Sequence, residues 1–312
     1  MTMLLPLLFF QASSVFTVGG VVVNGTTNAP LNKTSVLLIS HADETTNKRT
    51  VVTGPDGRFR FDGVAKGKYA LAAERNGFVS QFYKQRSLYQ PYASAIVTGE
   101  NERTENIVFQ LIPEGTITGY VKDLQGEPVR GMQVLAYRIA GPAGQKQAWT
   151  APNGFTDDRG YYRIHSLAAG TYALVVSPST WRSEEAQESN RGAFPVTFFP
   201  GTTEAEHAGT LRVEAGHEAK AEVLVDPVPC GRVKGTVAPL DNLNGSLSVT
   251  LTAKGPFGAQ FRVGDEVAVF DSKFTIEDVP IGHYELSLWD DHTHLRPAHG
   301  RSDQSRPGGR DR

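Results

Sequence analysis

Histidines, carboxylates and cysteines that lie close together are the residues able to bind metals or move protons, so their spacing is weighed first. His41-Ala42-Asp43-Glu44 has the H-x-x-E spacing of a zinc-peptidase ligand pair, but no third ligand stands in matching context and the segment falls between two expected strands. His217-Glu218 opens like H-E-x-x-H, yet Ala221 occupies the place of the second histidine, so that motif is absent. Asp290-Asp291-His292-Thr293-His294 is the densest set of potential ligands, mixing hard and softer donors in a polar stretch expected to be solvated. Asp157-Asp158 before Gly160 could touch calcium; turn formation explains the pair more simply, because Asx side chains accept hydrogen bonds from nearby backbone donors. Cys230 is the single cysteine, which excludes an intramolecular disulfide, a thiolate metal cluster and a CxxC pair. It reads as a small buried hydrophobe at a domain junction. There is no G-x-S-x-G elbow, P-loop or dinucleotide-binding glycine pattern. No catalytic residue, metal or cofactor is expected.

Aromatic side chains are the other groups that could carry function. Tyr89, Tyr92, Trp149 and Trp181 stand outside the repeat pattern described below, in expected loops. Exposed rings in loops stack on sugars or on partner proteins, and these four are the candidate ligand-binding residues, with a carbohydrate as the ligand. Local loop packing is the simpler reading, since scattered surface aromatics are ordinary.

The elements that would position these groups come from a cassette that occurs three times. From a turn residue at Gly57, Gly160 or Ser272, an aromatic follows at +2, a large apolar residue at +4, an aliphatic at +7, glycine at +10 and tyrosine at +12. In the first copy Phe59 and Phe61 alternate with Arg58, Arg60 and Asp62, and Tyr69, Leu71 and Ala73 repeat the alternation. That period of two makes each cassette a β-hairpin with one apolar face. The glycine at +10 is expected to supply a positive φ at the turn. The tyrosines at +12 are expected to point inward.

Similarity extends past the hairpin. Gly115 to Val121, Val18 to Val22 and Gly231 to Val237 read as matching first strands, and Ile107 to Leu111 matches Val223 to Val225 as a last one. Each full copy is therefore about seven short strands, the rhythm of an antiparallel Greek-key sandwich. The fold class is all-β, with repeats over 15–112 and 113–228, a partial third over 229–291, and a tail over 292–312 too polar to form a core. A copy without its last strands leaves a sheet edge bare and should be the least stable.

Composition agrees, with 32 glycines and 18 prolines for many turns. A net charge of −2 gives no electrostatic case for nucleic acid. Residues 1–14 contain the apolar run Met3 to Phe10 followed by Ala12-Ser13-Ser14, which fits a secretory signal apart from its missing basic start. No segment is long and apolar enough for a transmembrane helix. The expected location is secreted, periplasmic or at the cell surface.

The motif G-x-(V/I)-x-G-x-V, then G-x-P-(V/L), then D-x-x-G-x-(Y/F)-x-(F/I) ending in G-x-Y-x-L resembles carboxypeptidase regulatory-like domains, which have transthyretin-like or collagen-adhesin-B-like sandwiches. Gly115 to Val176 matches it closely, Val18 to Leu71 nearly as well, and Gly231 to Leu288 loosely. The resemblance implies an accessory module of secreted or envelope proteins, in a fold grouped with carbohydrate-binding sandwiches. It implies no peptidase activity, which in such enzymes belongs to a separate catalytic domain. The expected function is a non-enzymatic structural or adhesive scaffold of the bacterial envelope or exterior. Its partner would be an envelope or extracellular protein or a polysaccharide, and the alternative is a carbohydrate-binding module.

Overall fold

The computed structural model describes residues 15–40, 48–85, 95–100, 102, 104–142, 145–178, 193–238, 247–290 and 293–294. They form two compact units, Met1–Glu114 and Gly115–Arg312. Both are built from strands, with no α-helix among the described residues.

In the first unit the strands are β1 (Val15–Asn24), β2 (Ser35–Ser40), β3 (Lys48–Val52), β4 (Arg58–Ala65), β5 (Gly67–Glu74), β6 (Gln81–Phe82), β7 (Ile96–Thr98) and β8 (Ile107–Leu111). One sheet has the order β4-β1-β8 and the other β3-β2-β5-β6, with β7 also on β5. Phe59, Phe61, Val18, Val22, Leu38, Leu71 and Phe109 fill the space between them. On β4 and β8 the buried residues alternate with exposed ones, so burial there follows the period of two.

The second unit continues with β9 (Gly115–Asp123), β10 (Met132–Ala140), β11 (Gln147–Phe155), β12 (Tyr161–Leu167), β13 (Gly170–Pro178), β14 (Thr197–Phe198), β15 (Leu211–Val213), β16 (Glu218–Lys220) and β17 (Val223–Val225). The sheets repeat the first plan: β12-β9-β16 with β17 on β9, and β11-β10-β13-β14 with β15 on β13. The third copy has β18 (Cys230–Thr236), β19 (Leu247–Lys254), β20 (Gln260–Ala268), β21 (Lys273–Pro280), β22 (Glu285–Asp290) and β23 (Thr293–His294). Its sheets are β18-β21 and β20-β19-β22-β23. The sheet thus includes Thr293 and His294, beyond the boundary expected at 291, because backbone pairing needs no apolar side chain.

One pairing departs from the expected antiparallel sandwich. In each complete copy the closing strand runs parallel to the first: β8 along β1, and β16 and β17 along β9. Another departure concerns the copies themselves. The one expected at 113–228 and the one expected at 229–291 lie in a single compact unit and share a core. On β13, Tyr172, Leu174 and Val176 face the interior of their own sandwich, while Ala173 and Val175 face a second cluster with Tyr137, Phe198, Phe261, Phe274 and Ile276. The β10–β13 sheet is therefore buried on both faces.

Candidate functional site

The repeated cassette has a definite local chemistry. In all three copies the tyrosine at +12 donates its hydroxyl to the carbonyl four residues earlier: Tyr69 to Ala65 at 3.0 Å, Tyr172 to Ala168 at 2.6 Å and Tyr284 to Pro280 at 3.1 Å. The glycine at +10 does not have the positive φ expected of it. It leaves room for a neighbouring side chain: a Cβ on Gly282 would sit 3.0 Å from the Tyr284 hydroxyl, and one on Gly170 would sit 2.5 Å from Nε of Arg138. The left-handed residues are instead the turn residue itself (Gly57, Gly160, Ser272; φ 72°, 68°, 60°) and the residue at +6 (Gly63, Ser166, Asp278; φ 65°, 60°, 54°). A register shift lies at that second position in each copy, so the strand bulges there. Tyr172 is fully buried, as expected, while Tyr69 and Tyr284 are half-buried.

Asp157 behaves as a turn residue. Its Oδ1 accepts from the backbone of Arg159 at 3.0 Å and of Tyr161 at 2.8 Å, and Oδ2 pairs with the Arg159 guanidinium at 3.0 Å. Desolvation pushes its pKa up, but these bonds outweigh it and hold the carboxyl below its usual range. Its acceptor oxygens are thereby directed to the turn.

Cys230 is exposed at the start of β18, and not buried as expected. Partial desolvation and then the charge of Asp278 push its thiol pKa up, which keeps it protonated and a poor nucleophile. His217 is exposed with Nδ1 2.9 Å from the Ala215 carbonyl. Among the described residues no group of three or more His, Cys, Asp or Glu could hold a metal ion. His41, Asp43, Glu44, Asp291 and His292 lie outside the described residues.

Of the four candidate aromatics, Tyr89, Tyr92 and Trp181 also lie outside the described residues. Trp149 sits on edge strand β11, opposite Arg138 in register, with 40% of its surface exposed. The sequence reading missed a second surface aromatic. Tyr120 on β9 pairs with Tyr161 on β12, their rings 5.4 Å apart and tilted by 60°, with Lys122 Nζ 5.3 Å from the Tyr120 ring centre. Tyr161 had stood one residue before the buried Tyr162, and alternation alone places the two on opposite faces.

A cleft of about 460 Å³ lies between the second and third copies, within their shared unit. Phe198, Glu204, Glu206, Lys254, His283 and Glu285 are among its lining residues, and Lys254 already pairs with Glu285 at 3.4 Å. The cleft contains charges of both signs without a nucleophile held by a base.

The first strand of each complete copy carries a glycine that the closing strand crosses. A Cβ on Gly20 would lie 1.9 Å from the Ile107 carbonyl oxygen, and one on Gly119 would lie 1.6 Å from that of Ala221. Tyr162 Oη donates to the same Ala221 oxygen at 2.7 Å, and burial pushes its pKa far up. Gly235 is the matching residue of the third copy, where β18 pairs only with β21 among the described residues. There the ring of Phe274 lies over the glycine.

Two tandem sandwiches with this closing-strand arrangement define a repeat protein of β-sandwich modules. The model of the carboxypeptidase regulatory-like domain matches residues 17–111 and 116–197, more than half of the chain. The chain belongs to that family. No curated protein matches it. Among solved structures it is similar to the Bacillus anthracis TIE protein at 15% identity and a TM-score of 0.26, over 91% of this chain and 47% of that one, about half its length. It is also similar to GBS52, the minor pilin of Streptococcus agalactiae, at 13% identity and a TM-score of 0.35, over 70% of this chain and 98% of that one. A third is the shaft pilin SpaA of Lactobacillus rhamnosus GG, at 11% identity and a TM-score of 0.29, over 72% of this chain and 100% of that one. No helix among the described residues is long and apolar enough to cross a membrane.

Proposed function

We propose that the protein is a non-enzymatic scaffold of the bacterial cell envelope or exterior, whose sandwich repeats hold an interaction surface at a fixed place. The observation that carries this reading is the use to which the recurring residues are put. The tyrosines, glycines and turn residues of all three cassettes latch strands, cross strands or shape turns. Family membership agrees, since the matched domain is a regulatory-like module and not the peptidase itself. The apolar stretch Met3 to Phe10 and the single cysteine are compatible with an exported chain. The test is an assay of the purified chain against peptide, ester and polysaccharide substrates, with and without zinc and calcium. The expected result is no turnover above buffer, and sustained turnover lost on substituting His283 or Glu285 would overturn the reading.

Carbohydrate binding is a second reading, favoured by exposed Tyr120 with half-buried Tyr161 beside it and by Trp149. Ring faces of this kind stack on sugars. A glycan array would support it if binding fell at least tenfold in Tyr120→Ala or Trp149→Ala. Binding unmoved by either change would sink it.

A further inference from the structure

Among the described residues, the edge of β18 away from β21 has no strand paired to it. We infer that this third-copy edge accepts an extended segment of a partner polypeptide running parallel to β18, with apolar side chains at alternate positions and a carboxylate facing Lys234. It goes beyond the scaffold reading, because it assigns a specific site and a partner chemistry to one edge.

Three observations carry it. In both complete copies the first strand is covered on this side by a parallel strand of alternating burial, Ile107–Leu111 in one and Glu218–Lys220 with Val223–Val225 in the other. The covering segment bonds to the main chain at the residue before the glycine: Gly19 N donates to the carbonyl of Thr104, just ahead of β8, at 2.8 Å, and N of Ala221, between β16 and β17, donates to Thr118 O at 2.8 Å. Lys234 is the matching residue of β18, and that strand is exposed or half-buried throughout. The second observation is Gly235. A closing strand needs glycine there because its carbonyl comes within 2 Å of where a Cβ would be in each complete copy (1.9 and 1.6 Å). The third copy has the same saddle, with the Phe274 ring over it. A ring can turn aside where backbone could not.

The third observation is charge. The outward side chains of β18 are Arg232 and Lys234, Arg232 being paired with Glu277 and Lys234 having no partner among the described residues. In the second copy the closing strand meets the first through carboxylates: Thr118 Oγ1 donates to Glu218 at 2.8 Å and Lys122 pairs with Glu222 at 3.3 Å. A lysine on such an edge repels a basic strand and loses hydration against a neutral one, which guards against aggregation, whereas a carboxylate offsets that loss.

The experiment uses the full chain and a synthetic peptide spelling its own residues 216–226 with Lys220→Glu, followed by calorimetric titration. Saturable binding is expected, weakened about tenfold by Lys234→Glu, with affinity regained for a peptide carrying Glu218→Lys and Lys220. Lys234 is exposed, so its replacement should leave the melting temperature unchanged, and that measurement separates lost binding from lost folding. Absence of saturable binding to the intact chain, or an affinity indifferent to Lys234→Glu, overturns the assignment. So does a dimer of the intact chain that Lys234→Glu dissociates, since the edge would then be taken by a second copy.

Discussion

Tyr172 combines two contributions that a single substitution can separate. Its ring is buried among Leu174, Val176 and Ile164, and its hydroxyl bonds the Ala168 carbonyl. Tyr172→Phe keeps the ring and should cost about 1 kcal/mol, while Tyr172→Ala also opens a cavity and should cost about 3–5 kcal/mol. Denaturant unfolding followed by near-ultraviolet dichroism would read the difference, and equal losses for both variants would contradict it. The same burial fixes an alkaline limit. Desolvation pushes the Tyr284 pKa up to about 12 from 10.0, with Cys230 adding to it, and pushes Tyr137 up as well. The folded chain therefore binds more protons than the unfolded chain above about pH 10, so stability falls as pH rises from there toward 12. Phenolate absorbance on titration should show these tyrosines ionising only as the second unit unfolds. Most of this was legible in the sequence, since spacing from Gly57, Gly160 and Ser272 placed the tyrosines. The role of the glycine at +10 was not, because a position without a side chain gives no sign of whether backbone angle or neighbouring bulk demands it.

The elements show why the same glycine in the first strand has unequal weight in the three copies. Gly119→Ala would push a Cβ into the Ala221 carbonyl, and that residue is held in place by its N–H bond to the Thr118 carbonyl. The closing strand must then shift, with loss of several of its hydrogen bonds. Gly235→Ala meets only the Phe274 ring, which can rotate. Hydrogen exchange should accordingly speed up across Glu218–Val225 in the first variant and change little along β18 in the second. Equal protection loss in both would contradict the closing-strand account. Strand positions here were readable from alternation, as in Arg58 to Phe61. The parallel direction of the closing strand was not, because a five-residue run such as Ile107 to Leu111 reads identically in either direction.

At the scale of the molecule, the third copy depends on the second. The run Tyr172-Ala173-Leu174-Val175-Val176 has no polar break, and such a run marks a strand buried on both faces. Reading only alternate positions hid this, which is why separate sandwiches were expected. Phe261 is the side chain that joins the copies, with its ring 6.5 Å from that of Tyr137 and 6.3 Å from that of Phe198. Both partners belong to the second copy, and Phe261 lies in the same buried cluster as Val249, Leu251 and Ile276 of the third. Removing Phe261 should therefore loosen the two together. Scanning calorimetry of the intact chain should resolve two transitions and not three, one for each compact unit. Phe261→Ala should lower one of them by about 3–5 kcal/mol of unfolding free energy and leave the other in place. The third copy expressed alone, as residues 229–294, lacks Tyr137, Val175 and Phe198 and should fail to show a cooperative transition. If that fragment instead melts sharply at the temperature of the whole second unit, the shared core contributes nothing and the copies are independent sandwiches.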